Sequence, residues 1–121
     1  MMQISNSFEI AGRAVSANPD RASTAILYDS DDARVVVFRI DAGQSVPLHS
    51  SDSTVLLTVV SGSGFVSGPV DGVVSEQRVT AGIVATYSPG EMHGMRADSG
   101  DLVIVATIAP RPGTTRAAQV A

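Results

Sequence analysis

Two stretches of the sequence decide the fold. Residues 43–62 read GQSVPLHSSDSTVLLTVVSG, and residues 82–97 read GIVATYSPGEMHGMRA. Each contains a run of Val, Ile, Leu or Thr, residues that favour β-strands, and each carries one of the two histidines, His49 or His93. If the first stretch is extended, residues 49, 51, 53, 55 and 57 share a face that presents an imidazole, two hydroxyls and then apolar side chains. Two turn-to-strand segments of this kind can place both imidazoles together.

Similar runs rich in β-branched residues follow one another along the chain. They span residues 23–28, 34–40, 54–60, 83–87 and 102–108. Turn-forming residues separate them, and Asp71 with Gly72 predicts a tight β-hairpin between two Val-rich segments. No window shows a sustained apolar stripe at helical spacing. Short strands separated by turns predict an all-β sandwich or barrel with little or no helix.

Composition excludes several classes of protein. With 121 residues, 44% of them hydrophobic and 17% charged, the chain is long and apolar enough to bury one core. Cysteine is absent, which excludes disulfides and Cys-based metal sites, and all eight basic residues are Arg, which excludes lysine Schiff-base chemistry. A net charge of -4 without a basic run argues against nucleic-acid binding. No apolar run suits a membrane span, and no signal peptide is evident, so we expect a cytoplasmic protein.

The chain divides into three parts by its pattern. We expect an N-terminal extension over residues 1–22 that can add a strand, a barrel over residues 23–109 and a C-terminal arm over residues 110–121. The run 102–108 is apolar on both faces, with Leu102 and Ile104 on one and Val103 on the other. Such a strand lies between the barrel interior and either a second sheet or a partner subunit, which favours a homodimer.

The two opening stretches resemble the two conserved motifs of the cupin family. The first family motif reads G-x5-H-x-H-x3-E-x6-G, and the second reads G-x5-P-x-G-x2-H-x3-N. The matching positions are Gly43, His49 and Gly62 in the first stretch, and Gly82, Gly90 and His93 in the second. The resemblance covers most of the chain and implies a small single-domain cupin, a double-stranded β-helix of the jelly-roll type.

Four positions depart from the family pattern. Ser51 stands in place of the second His, Val55 in place of Glu, Ser88 in place of Pro and Ala97 in place of Asn. Metal-binding cupins hold Zn, Fe, Mn, Ni or Cu with three His and one Glu, and only His49 and His93 match that set. A divalent metal usually needs at least three protein ligands, so the resemblance implies a degenerate metal site.

Three roles are open for the two histidines. They can be inert remnants hydrogen-bonded inside a pocket, two ligands of a divalent metal, or a general acid and base, because His titrates near neutral pH. Tyr87 and Glu91 lie close to His93 in sequence and are candidate helpers for acid–base catalysis. The predicted pocket wall consists of Ser51, Val55, Leu57 and Met95, and it is largely apolar.

Three functions remain compatible with the sequence. The first is a ligand-binding or accessory protein that holds a small molecule with one or two polar groups in this pocket. The second is a small cupin enzyme of the isomerase, cyclase or dioxygenase type that uses His49 and His93. The third is a structural module whose pocket is vestigial. The fold alone does not choose among them.

Overall fold

The computed structural model describes residues 1–113 of the chain. Within them lie one helix and nine strands: α1 (Ser7–Arg13), β1 (Ser23–Asp29), β2 (Arg34–Ile40), β3 (Ser45–His49), β4 (Thr54–Ser61), β5 (Ser63–Val70), β6 (Val73–Thr80), β7 (Val84–Tyr87), β8 (His93–Ala97) and β9 (Leu102–Ala109). All strand pairs are antiparallel. One sheet has the order β1-β2-β9-β4-β7 and the other the order β3-β8-β5-β6. The predicted all-β class is therefore confirmed.

The five-stranded sheet is formed by the five runs predicted from the sequence. Its inner face carries Ile40, Leu57 and Ile104, each no more than 1% exposed, in the main core between the sheets. Its outer face carries Val37 and Val103, which are also buried. Burial on both faces explains why β2 and β9 are nearly continuous apolar runs.

The outer face of this sheet is covered by helix α1. Asn6 caps the helix, because its side-chain oxygen accepts hydrogen bonds from two backbone N–H groups of the first turn. Ile10 and Ala11 then join Val37 and Val103 in a second apolar cluster. The extension over residues 1–22 thus supplies a helix and isolated bridges instead of a predicted added strand. Because α1 covers β9, the two-sided burial of that strand no longer supports a homodimer, which stays a prediction.

The four-stranded sheet is covered on its inner face only. On its outer face the guanidinium of Arg96 stacks on the Phe65 ring, with Cζ of Arg96 4.0 Å from the ring centroid. Arg96 also forms a salt bridge with Glu76. The predicted hairpin joins β5 to β6, with φ of 50° at Asp71 and 80° at Gly72, as a type I′ turn requires. The hairpin prediction is confirmed.

The predicted C-terminal arm is described only as far as residue 113, and residues 114–121 lie outside the described part. Its first residues are held against the barrel. The Ser53 hydroxyl donates to the Pro110 carbonyl at 2.6 Å, and Arg111 Nε lies 3.1 Å from an oxygen of Asp29. The start of the arm is therefore attached and not loose.

Candidate functional site

The two histidines meet at one end of the four-stranded sheet. His49 is the last residue of β3, His93 is the first of β8, and the two lie directly opposite each other in the antiparallel pair. A shift in register between Val46 and His49 precedes this contact. The ring centroids are 4.2 Å apart, and the ring planes are inclined by 63°. The structure thus brings together the two imidazoles that the sequence places far apart.

Backbone carbonyls set the tautomer that each imidazole adopts when it is neutral. His49 Nδ1 lies 2.9 Å from the Pro47 carbonyl oxygen, and His93 Nδ1 lies 3.2 Å from that of Glu91. A carbonyl oxygen can only accept a hydrogen bond, so each Nδ1 must donate one. In a neutral ring this leaves the Nε2 lone pair available. The acceptor of each neutral ring is therefore Nε2.

The two rings differ in exposure. His93 is only 4% exposed, whereas the side chain of His49 is open to solvent. Burial lowers the pKa of His93 below its ordinary value, and the neighbouring His49 lowers it further, while the hydrogen bond to the Glu91 carbonyl acts in the opposite direction. His93 is accordingly a neutral base at neutral pH.

Tyr87 lies against the buried histidine. The centroids of the Tyr87 and His93 rings are 5.2 Å apart, and the Tyr87 hydroxyl donates to the Ser67 carbonyl at 2.9 Å. Burial raises the pKa of Tyr87, and the charge of Glu91 raises it further. The phenol therefore keeps its proton and donates it in the hydrogen bond to the Ser67 carbonyl. Tyr87 thus contacts His93 but is not free to act as a base.

Glu91 contributes its backbone to the site and uses its carboxylate elsewhere. One carboxylate oxygen accepts a hydrogen bond from the Ser88 N–H at 2.6 Å, which closes the turn between β7 and β8. The Glu91 carbonyl is the group that orients His93. Glu91 is thus a positioning element for His93, and its carboxylate is committed to the turn.

Residues 50–53, within the first of the two stretches quoted from the sequence, form a loop. The notion that residues 49–57 form one extended face is wrong, because β3 ends at His49 and β4 starts at Thr54 in the other sheet. In the loop, the Ser51 hydroxyl accepts from Ser53 N at 3.1 Å, and the Ser51 carbonyl accepts from Gly90 N at 2.7 Å. Ser51 therefore ties this loop to the turn that precedes His93.

The other predicted pocket residues lie deep in the core. Val55, Leu57 and Met95 are 3%, 1% and 4% exposed, and all three belong to the same apolar cluster as Tyr87. Side chains that line a cavity large enough for water retain accessible surface, so these three contact other protein atoms almost completely. The predicted apolar side chains are therefore grouped together, but they fill the interior and do not line an open pocket.

One residue of this region was missed in the sequence. A Cβ atom built on Gly68 would lie 2.5 Å from Cε1 of Tyr87, so only a glycine leaves room for the ring. Gly68 lies on β5, in the sheet opposite the one that carries Tyr87. A glycine inside a strand pattern often marks a close approach, and that signal was present in the sequence.

The resemblance to cupins implies a metal ion, and the side chains around the histidines can be compared with the ligands that such an ion needs. Ser51 uses its hydroxyl within the loop, and Val55 is an apolar core residue, so neither supplies a ligand. Within residues 1–113 no group of three or more His, Asp or Glu side chains is arranged to hold a metal. Two imidazoles fall short of the three protein ligands that a resident divalent metal needs. The residues therefore do not fit the metal centre of the family.

Comparisons with known proteins bear on the fold. No protein-family model and no protein of curated function matches the sequence. Among solved structures, a rmlc-like cupin protein from Desulfovibrio desulfuricans is 27% identical, with a TM-score of 0.73 over 91% of this chain and 98% of that one. An uncharacterized conserved protein with a double-stranded beta-helix domain from Klebsiella pneumoniae is 23% identical, with a TM-score of 0.74 over 91% of each chain.

An enzyme also shares the fold. The DMSP lyase DddQ from Ruegeria pomeroyi is 18% identical, with a TM-score of 0.67 over 84% of this chain and 55% of that one. At such identity the likeness extends to architecture alone. In the described residues, no helix is long and apolar enough to cross a membrane. Both the strand topology and the solved structures identify the chain as a small cupin-like domain with a double-stranded β-helix fold.

Proposed function

We propose that this domain binds a small organic molecule at the His49–His93 pair, through hydrogen bonds to the two Nε2 atoms and without a resident metal ion. The observation that carries the proposal is that both Nδ1 atoms are occupied by backbone carbonyls. Each neutral ring then presents an acceptor. The ligand must therefore supply donors, such as hydroxyl or N–H groups, and a carboxylate, which only accepts, is a poor fit.

An apolar part of the ligand has a surface to contact near the histidines. Val66 of β5 lies opposite Met95 of β8, so Val66 faces the interior together with Met95 and, two residues away, His93. Val70 shares that face at the far end of β5, and its hairpin partner is Val73. These two valines are 46% and 65% exposed. The ligand class is accordingly a compact amphipathic molecule, with donor groups and an apolar body.

Phenol and anisole provide a matched pair of probes. Phenol has a hydroxyl donor, whereas anisole replaces that hydrogen with a methyl group. In the presence of EDTA, phenol should shift the ¹⁵N resonance of at least one of the two Nε2 atoms, the one that accepts its hydroxyl hydrogen, and anisole should bind roughly fivefold to tenfold more weakly, the size of one net hydrogen bond.

Ring-preserving substitutions locate the binding. His49→Phe and His93→Phe keep an aromatic ring but remove Nε2, and at least one of them should weaken phenol binding by a similar factor, whereas Ser50→Ala, at an exposed neighbour, should not. Equal binding of phenol and anisole, or unchanged phenol binding in both His variants, would refute the proposal.

A second candidate function is proton transfer catalysed by the same pair, as in a small isomerase. It is favoured by the lowered pKa of His93, which makes that ring a neutral base, in contact with an exposed partner that can exchange protons with solvent. In this scheme His93 Nε2 takes a proton from a carbon next to a carbonyl, and His49, after taking up a proton from solvent at Nε2, donates it to the enolate. His93 then releases its own proton to solvent, which restores both rings. The dioxygenase alternative is less well supported, because it needs a metal that the donor set does not fit.

Deuterium exchange tests this candidate directly. Hydroxyacetone, a carbonyl compound with a hydroxyl donor, is incubated with the protein in D₂O, and loss of its C–H signals is followed by proton NMR. We expect exchange above the buffer rate, with a loss of at least roughly 100-fold in His93→Phe. Exchange at the buffer rate in the wild type removes this candidate and leaves the binding proposal standing.

A further inference from the structure

The Tyr87 ring crosses the barrel interior from one sheet to the other. Tyr87 ends β7 in the five-stranded sheet, directly opposite Val55 of β4. Its hydroxyl reaches the Ser67 carbonyl of β5 in the four-stranded sheet, and its ring lies against Gly68 of the same strand. The side chain therefore spans the space between the sheets.

The ring also lies between the histidines and the apolar core. On one side it contacts His93, with ring centroids 5.2 Å apart. On the other side it belongs to the cluster of Val55, Leu57 and Met95, all of which are at most 4% exposed. The interior below the imidazoles is thus filled by protein atoms, and Tyr87 forms the layer that a ligand at the histidines would meet first.

Three features hold the ring in this place. The hydrogen bond to Ser67 satisfies the only polar atom of the side chain, which a buried phenol requires. The missing Cβ of Gly68 provides the space for the ring edge. Burial keeps the phenol protonated, so this hydrogen bond persists across the physiological pH range. The position of the Tyr87 ring is accordingly fixed by specific contacts with β5.

We infer that Tyr87 is a specificity-determining residue, the floor that confines the ligand to a shallow site at the imidazoles by filling the apolar space beneath them. The inference rests on the proposed binding at His49 and His93 for its ligand, but the chamber that loss of the ring would open does not depend on the histidines. Removing the ring opens an apolar space, bounded by Val55, Leu57 and Met95, that accepts an aromatic hydrocarbon in the way engineered apolar cavities do.

Toluene is the probe for the chamber, because it has no hydrogen-bonding group. Toluene should raise the thermal midpoint of Tyr87→Ala but not that of the wild type or of Tyr87→Phe, which keeps the ring. The same rise should occur in Tyr87→Ala combined with His93→Phe. If Tyr87→Ala does not fold, Tyr87→Val gives a smaller cavity for the same measurement. An absence of toluene stabilisation in a folded alanine or valine variant, or equal stabilisation of the wild type, overturns the inference.

The relative affinities of two hydroxylated ligands test whether the Tyr87 ring limits the size of the ligand. The ratio of 2-naphthol affinity to phenol affinity should rise roughly tenfold or more in Tyr87→Ala, because the second ring can enter the chamber. Tyr87→Phe should leave that ratio unchanged. A constant ratio in a variant that does bind toluene shows that the chamber exists but does not govern selectivity, and so refutes the specificity role. Loss of phenol binding in His93→Phe with toluene binding intact keeps the two proposals separable.

Discussion

The five-stranded sheet has its inner face in the core and the middle of its outer face, around β2 and β9, under α1, whereas the outer face of the four-stranded sheet carries mainly polar and charged side chains in contact with solvent. On that outer face, Arg96 stacks on Phe65 and pairs with Glu76. Both histidines lie on the four-stranded sheet. One sheet therefore supplies most of the apolar core, and the other carries both histidines of the candidate site.

This difference has a physical consequence for the sequence of each sheet. A strand buried on both faces needs apolar side chains at every position, while a strand with one wet face alternates and tolerates Gly, Ser and charged residues. All five strands of the first sheet stand out as apolar runs. None of the four strands of the second sheet stands out as an apolar run, although its Asp71–Gly72 turn and its two histidines are recognisable in the sequence. The histidine pair therefore lies where the strand signal is weakest.

The largest expected effect of this contrast is on stability. Leu57→Ala removes a side chain that is 1% exposed on the inner face of the five-stranded sheet, and it should lower the free energy of unfolding by about 2–5 kcal/mol. Val74→Ala, at a 47% exposed position of the four-stranded sheet, should change it by less than about 0.5 kcal/mol. Urea unfolding at pH 7 measures both, and equal losses would contradict the contrast.

A smaller effect is expected in the hairpin of the four-stranded sheet. Gly72 has a φ of 80°, in the left-handed region, so Gly72→Ala should cost about 1 kcal/mol of unfolding free energy. Gly100→Ala is the matched control, because Gly100 lies in a loop with open space around its Cα and no positive φ. Urea unfolding should show a loss only for the first variant, and a comparable loss in both would argue against the type I′ turn.

The smallest expected effect is a pH dependence that comes from His93. Its folded pKa lies below the ordinary value of 6.5, so the unfolded chain takes up the proton first as the pH falls. The contribution to stability is therefore present above about pH 6.5 and is lost as the pH falls through the folded pKa. The groups that face the ring are His49, Tyr87 and the backbone of Glu91.

Urea unfolding between about pH 7.5 and about pH 5 tests this dependence. The wild type and Ser50→Ala should both lose stability over that range more steeply than His93→Phe, which has no group to protonate at this position. Equal slopes in the wild type and His93→Phe would show that burial of His93 does not oppose its protonation.

Much of the site could be predicted from the sequence, and the exceptions have one cause. Motif spacing singled out His49 and His93, and the structure places their rings in contact. The same spacing put Ser51 and Val55 where the family has ligands, which indicates the loss of the metal set. The face assigned to residues 49–57 was wrong, because the chain leaves one sheet after His49 and enters the other at Thr54, and alternation holds only within a single strand.

By itself, the sequence determined the strands of the five-stranded sheet, the hairpin turn and the two histidines, since each depends on local pattern or fixed spacing. Only the tertiary structure decided that α1 covers the outer face, that both imidazoles present Nε2, and that the Tyr87 ring fills the interior against Gly68. These features are contacts between residues distant along the chain or on opposite sheets. Local propensity carries no information about such contacts, because packing between layers sets them.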